Sequence, residues 1–569
     1  MCGIAGIIGK NYHEAEVRQM LTSIRHRGPD ASRTYKDDSC ILGHNRLAII
    51  DLSTDANQPF EDASGRFHLV FNGEIYNYKE LKEEIGDRYD FRTSSDTEVL
   101  LAAYLLYGEA CLEKLNGMFA FGIWDAHKRE LFSARDRFGV KPFFYHQNGE
   151  HFIFASEIKA LHKLVAPKAD GKTWANYFCY GNYGSPRKTF FTDIFQLPAG
   201  HFLRYREGNL EVQKWYDFET RVRSQSYPDF EKGIKKAYLD LLEDSIKLRF
   251  RADVEVGFNL SGGVDSSLLL ALVNHLHPSH NIKAYTFYTG DESYDELPWV
   301  EMMIEKTGNP LCKVRLDARE VPELSMHISR FEDEPFGGVP TLAYSKIFQN
   351  ANREGVKVLL DGQGMDEQWA GYDYYSRADN SVVQGSKNSS SFRPKILNED
   401  FKVLAEKPVF PKPFTSDIQN LQYRDLFYTK LPRALRFNDR ISMAYSTELR
   451  EPFLDYRLVE FAFGLPDHYK IKGSVQKYLL REIVKEYVPF EIAEAPKRAL
   501  QTPQREWLGG ELKDFTELRI ERLLDSEFSN WFERDSIWQE WKNYKTGSKE
   551  NSFFIWQWIN TSLIAEHYQ

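Results

Sequence analysis

With 569 residues and 42% hydrophobic side chains, the chain is too long for one core and predicts two or three globular domains. Its formal net charge of −10 argues against nucleic acid as the main partner, so any anionic substrate needs local cations. Five scattered cysteines without a paired spacing, no leader pattern and no apolar run of membrane-spanning length predict a cytoplasmic protein with no membrane partner.

Cys2 follows the initiator methionine directly. Removal of Met1 would leave a thiol and a free α-amine on one residue, and an amine with a pKa of about 8 can act as the thiol's own base. The alternative is an incidental thiol in a buried first strand containing Ile4, Ile7 and Ile8. Arg25-His26-Arg27-Gly28-Pro29-Asp30 reads as a charged turn, and Arg46 opens the apolar strand that contains Ile49. Phe71-Asn72-Gly73-Glu74 ends another strand in a turn able to aim Asn72 and the Gly73 N–H at an oxyanion. Ser95-Asp96-Thr97-Glu98 predicts a capping box before a helix over 99–107, with Asp96 kept ionised by the helix dipole. Singly, Asp96 is equally a helix-end charge, Arg46 a surface ion pair and Glu74 a turn residue. Aromatic strand-like text from Phe143 to Tyr216 predicts two layered sheets, and the polar stretch 217–229 predicts a linker.

From about Phe230, helices alternate with apolar strands, the pattern of a parallel sheet with helices on both faces. Ser261-Gly262-Gly263-Val264-Asp265-Ser266-Ser267 falls between a strand and a helix, where backbone N–H groups and the helix N-terminus converge on a phosphate. It is neither a Walker loop nor a dinucleotide loop. Asp265 reads as a Mg²⁺ ligand, with Ser261, Ser266 and Ser267 donating to a pyrophosphate; the plain alternative is a Ser/Gly turn with a serine N-cap. Strand 282–288 brings Phe287 as a wall for adenine. Strand 356–360 delivers Asp361-Gly362-Gln363-Gly364-Met365-Asp366-Glu367 to the same sheet edge, so Asp265 and Asp366 together predict a Mg²⁺ site. The Ser/Asn-rich stretch 376–391 reads as a disordered insertion or a lid. The C-terminal tail, with Trp531, Trp538, Trp541, Trp556 and Trp558, predicts amphipathic helices that pack internally or cover a homodimer interface.

The N-terminal motifs, with Gly117-Met118-Phe119-Ala120-Phe121, Arg135-Asp136-Arg137-Phe138-Gly139 and Ala155-Ser156-Glu157, resemble the glutaminase domain of class II, N-terminal-nucleophile glutamine amidotransferases. The resemblance implies that Cys2 attacks the glutamine amide and that Asn72 and Gly73 form the oxyanion hole. It also implies that Arg46 binds the substrate carboxylate beside Ile49, while Glu74 and Asp96 hold the α-amino group. The second half resembles the ATP-pyrophosphatase synthetase domain of glutamine-dependent asparagine synthetases. Arg440-Ile441-Ser442-Met443-Ala444, Glu448-Leu449-Arg450-Glu451-Pro452-Phe453-Leu454-Asp455, Leu458-Val459-Glu460-Phe461-Ala462 and Ala495-Pro496-Lys497-Arg498 carry that likeness.

Together the two likenesses cover nearly the whole chain. They imply an αββα sandwich over 2–216 and a parallel-sheet, adenine nucleotide alpha-hydrolase-like domain over 230–569. ATP is expected on Leu260, Ser261, Gly262, Gly263, Asp265, Ser266, Phe287, Asp361 and Gly362, with Lys497 neutralising charge during acyl transfer. The implied substrates are glutamine, ATP and aspartate, which is activated as an acyl-adenylate and captures internal ammonia. Many relatives read Gly-Glu-Gly where this chain has Gly362-Gln363-Gly364. That departure keeps open another carboxylate acceptor, such as a uronic acid sugar or a peptide side chain, with Glu332, Glu334 or Glu367 as substitute bases. A non-catalytic glutamine-sensing module is the alternative of another class.

Overall fold

The computed structural model describes residues 1–184, 186–278, 281–377, 391–495, 501–547 and 551–568. Lys497 and residues 378–390 of the polar stretch lie outside the described residues.

The N-terminal half stacks two antiparallel six-stranded sheets. Strand Gly3–Ile8 is buried along its whole length because both of its faces are covered. Alternate residues point opposite ways: Ile4 and Ile8 enter the layer between the sheets, and Ala5 and Ile7 face the helix side. Helix Glu14–Ser23 lies so close over this sheet that a Cβ on Gly43 would come within 2.6 Å of Val17. In the second sheet, Val70 of Phe67–Ile75 and Ala120 and Trp124 of Gly117–Asp125 turn inward, while Phe71, Phe119 and Phe121 meet helix Asp96–Tyr107. The order of layers is helix, sheet, sheet, helix.

The second half contains a five-stranded parallel sheet in the order Leu311–Arg315, Ala284–Tyr288, Val256–Asn259, Val358–Leu360, Glu448–Arg450. Helices cover both faces, as such a sheet requires. Helix Val264–Leu276 packs with Phe258 and Leu360 on one side, and helix Val339–Arg353 packs with Tyr285 and Leu359 on the other.

The short edge strand Glu448–Arg450 carries the sheet to the N-terminal sandwich. Glu448 and Arg450 reach Met1 and Glu74 there, so the edge is covered by protein. Arg27 crosses the same boundary to Asp439 at 2.8 Å, and Asn116 crosses it to Asp455 at 2.9 Å. The connecting stretch holds a helix, Phe218–Arg223, with Phe218 and Val222 buried in the shared core. The C-terminal tryptophans pack internally: Trp541, Trp556 and Trp558 are buried in this chain's own core, and helix Phe553–His567 is enclosed along most of its length. Among the described residues, no helix is long and apolar enough to cross a membrane.

Candidate functional sites

The first site forms where strand Gly3–Ile8 begins. The Cys2 N–H donates to Asn72 Oδ1 at 3.0 Å, and the thiol sulfur lies 4.0 Å from the Leu47 carbonyl. Burial pushes the thiol pKa up, and the chain's terminal charge and the Leu47 contact only partly offset this. Arg27 Nε donates to the Cys2 carbonyl at 3.1 Å, which fixes the residue from its other side. Asn72 Nδ2 is buried and has no partner among the described residues. Gly73 has φ +151°, and a Cβ there would come within 2.0 Å of the Met118 carbonyl, so only glycine fits. An unengaged amide donor and a glycine backbone N–H are groups chemically able to stabilise an oxyanion.

Behind Cys2 lies an acidic nest. Glu74 and Asp96 are buried together with Glu448, which comes from the far domain. Burial, then Glu448 and Asp96, raises the Glu74 pKa well above normal. The Met1 ammonium sits in this nest, 3.0 Å from Glu448 Oε2 and out of contact with solvent. Burial alone would raise Glu448, but the Met1 charge and Arg450 outweigh it and hold its carboxyl low.

Asp96 differs from expectation. The Ile75 N–H donates to it at 2.9 Å, yet burial outweighs that bond and the helix dipole and pushes its pKa up to about 6. The predicted capping box does not form either. The helix begins at Asp96, and Ser95 accepts from the Thr97 N–H. Glu98 turns back to accept from the Arg92 and Thr93 backbone, so its carboxylate never reaches the N-cap.

Arg46 is buried and already holds the Ser53 carbonyl at 2.6 Å, Asn57 Oδ1 at 3.0 Å and the Asp51 carbonyl. Ile49 is buried, and its carbonyl accepts from Asp253 of the second domain.

The second site is a crevice beyond the C-terminal ends of the parallel strands. It is lined by the whole Leu260 to Ser266 loop, by Phe287, and by the loop from Asp361 to Asp366. Gly262 has φ +69° and lies against the helix Leu297–Thr307, where a Cβ would sit 3.0 Å from Trp299. Ser261 and Ser266 share a hydrogen bond at 3.1 Å, and Asp361 is fixed by the Tyr344 hydroxyl at 2.9 Å.

Lys477 occupies the centre of the crevice. Its ammonium lies 2.6 Å from Asp265 and 2.7 Å from Asp366, so a cation already bridges the two carboxylates predicted to share a metal. Burial lowers its pKa, but the two aspartates overcome this and raise it. A Cβ on Gly371 would come within 2.3 Å of Lys477 Cε and 2.1 Å of Asp366, so the glycine makes room for the bridge. Among the described residues, no group of three or more His, Cys, Asp or Glu side chains is arranged to hold a metal.

Sequence reasoning missed Lys477, Arg27, Glu448 and Arg450 as site residues. Lys477 left no signal readable from the sequence alone. It precedes the apolar helix Tyr478–Val484 at φ +54°, where both the helix dipole and the left-handed backbone disfavour a lysine. The substitute bases are not at the crevice. Glu334 is paired with Arg436 at 2.8 Å, and Glu332 is fully buried. Glu367 lies beneath the loop, accepting from the Tyr372 hydroxyl at 2.6 Å.

Comparison with known proteins places both sites in context. Residues 1–216 match the family model described as a glutamine amidotransferase domain, and residues 237–567 match the one described as asparagine synthase. Among curated proteins, the chain is similar to asparagine synthetase [glutamine-hydrolyzing] 1 of Bacillus subtilis, with 29% identity covering 98% of this chain and 95% of that one. Asparagine synthetase [glutamine-hydrolyzing] 3 of the same organism is 29% identical over 86% of this chain and 85% of its own. The amidase chry2 of Gibberella zeae is 28% identical over 93% of each.

Proposed function

The chain belongs to the asparagine synthase family and is a glutamine-hydrolysing carbon–nitrogen ligase of that type; from this premise we propose that residues 2–216 and 230–569, joined by 217–229, perform two half-reactions coupled by ammonia.

In the first half-reaction, Met1 has been removed and the Cys2 amine takes the thiol proton as the sulfur attacks the glutamine amide carbon. The oxyanion is held by Asn72 Nδ2 and the Gly73 N–H. Glu74 and Asp96 bind the substrate's α-ammonium in the nest where the Met1 ammonium sits, and Glu448 stands beside them. Arg46, beside Ile49, faces the substrate carboxylate. Collapse of the tetrahedral intermediate expels ammonia and leaves a thioester, which water hydrolyses to glutamate.

In the second half-reaction, ATP lies in the crevice, with its adenine against Phe287 and its β and γ phosphates on the loop from Ser261 to Ser266. Leu260, Asp361 and Gly362 complete the bed. The acceptor carboxylate attacks the α phosphorus, pyrophosphate leaves, and ammonia displaces AMP from the acyl-adenylate. Lys477 neutralises charge on the phosphates during both steps, the kind of role the resemblance implies for Lys497, which lies outside the described residues. Asp265 and Asp366 are hard oxygen donors opening on the phosphate bed, a set that fits Mg²⁺, which takes one or two carboxylates and completes its shell with phosphates and water. When bound, the ion would supply further neutralisation of the pyrophosphate.

One observation carries the coupling. The strand Glu448–Arg450 gives Glu448 to the Met1 ammonium and pairs in register with Val358–Leu360, the strand that delivers Asp361.

Aspartate is the first acceptor, giving asparagine. A second reading, amidation of a uronic acid or peptide carboxylate, is favoured by Gln363, Asn438 and Gln476, which line the crevice as neutral amides. An acceptor panel read by pyrophosphate release and product mass tests both. Turnover with aspartate supports the first reading; turnover with a uronate and none with aspartate would replace it and leave the mechanism intact.

A further inference from the structure

Sequence alone would mark a route for ammonia only by apolar residues between the two sites. The structure instead puts a carboxyl group there. Glu451 follows the edge strand Glu448–Arg450 and is buried, with 5% of its surface exposed. It lines a cavity of about 10 Å³ between the two halves of the chain, together with Asn116, Met118, Val140, Arg249 and Leu454.

Its walls pack against a residue of each site. The Met118 carbonyl fills the place of a Gly73 side chain at 2.0 Å, so that wall backs the oxyanion hole. Leu454 lies 2.3 Å from where a Gly364 Cβ would be, so the opposite wall backs the crevice loop. A space of this size admits one molecule about as large as water, and ammonia is of that size.

Neighbouring buried carboxylates are ion-paired: Glu448 with Arg450, Asp455 with Arg249, and Asp439 with Arg27. Glu451 makes no such pair and accepts no side-chain hydrogen bond among the described residues, although its surroundings are charged. Lys141 and Arg249 draw its proton off, Asp361 and Asp439 hold it on, and Asp136, Arg137, Tyr76 and Tyr456 border the same cavity. Burial dominates and pushes the Glu451 pKa up to about 8, so at neutral pH the group is an acid with an O–H to donate.

We propose that Glu451 is a positioning residue for ammonia in transit, its carboxylic acid O–H donating to the nitrogen lone pair in the cavity between Met118 and Leu454. If the proton crosses, an O–H bond breaks and an N–H bond forms, giving a carboxylate–ammonium pair. The reverse transfer restores both partners before ammonia moves on, and no proton is consumed. The proposal rests on the reading that ammonia passes internally between the two sites.

The test measures glutamate formed per pyrophosphate released in the full-length enzyme. Glu451→Gln keeps the shape and removes the acid. Loss of one acid hydrogen bond corresponds to roughly a two- to ten-fold rise in that ratio, while glutamine hydrolysis and ammonium-fed synthesis keep their rates. Glu451→Asp, which retains an acid, should give an intermediate ratio. In the unaltered enzyme the ratio should climb as pH rises through about 8 and the acid ionises; in Glu451→Gln it should not. An unchanged ratio in Glu451→Gln, or an equal fall in all three rates, overturns the proposal. A ratio far above one already in the unaltered enzyme overturns the internal-transfer reading as well, so the two failures are distinguishable.

Discussion

The proposed glutamine pocket and the proposed nucleotide crevice solve the same problem, holding charge away from water, in different ways. In the pocket, like charges are brought together. Glu74, Asp96 and Glu448 converge, and among the described residues Arg450 and a terminal ammonium are the cations ion-paired with them. In the crevice, opposite charges are matched in advance, with Lys477 set between Asp265 and Asp366. A nest of carboxylates selects a cationic ligand and is satisfied by it; a bridged pair is satisfied before any ligand arrives and can give up its cation to phosphate. The pocket is therefore built to recognise and the crevice to redistribute charge.

The strongest way to break this comparison is Cys2→Ala. Glutamine-dependent synthesis should fall on the order of 10⁴-fold or more, as for other nucleophile deletions, while ammonium-fed synthesis persists. If both disappear together, the two sites are not separable. Lys477→Gln should have the opposite selectivity: synthesis from either nitrogen source drops about 10²- to 10³-fold, the scale of losing one transition-state donor, and glutamine hydrolysis continues. Equal synthesis rates in this variant and the parent would remove Lys477 from the chemistry. The smallest effect sharpens the account of the pocket. With a pKa raised to about 6, Asp96 is ionised above that pH and neutral below it. The KM for glutamine should then rise as pH falls through about 6, by roughly tenfold for one lost charge-assisted contact, and Asp96→Asn should flatten the profile. The same raised pKa means that the ionised form costs folding stability, so Asp96 contributes most to stability below its unfolded value and least above about 6.

Much of this was legible in the chain. The strand, glycine turn and helix around 261–267, the second loop from Asp361 and the layered sheets follow from local pattern, because periodicity and glycine placement are local properties. Cys2 was legible at the head of the first strand, but Asn72 and Gly73, expected in a turn that ends a strand, lie inside strand Phe67–Ile75, paired with Ala120 and Phe119. What escaped was non-local. Nothing near Glu448 or Arg450 says that an edge strand will lie against the N-terminus of the chain, and Glu448, which adds to the rise at Asp96, comes from the far domain. Lys477 escaped for a different reason: it opposes the rules of helix starts, and a residue that breaks a local rule is visible only when its compensation, here two aspartates brought from distant loops, can be seen.

Met1 closes the account of the pocket. With it attached, the nitrogen of Cys2 is an amide and the acidic nest holds the chain's own ammonium. Hydrolysis of the Met1–Cys2 bond would at once take the ammonium out of the nest and turn the Cys2 amide into an amine.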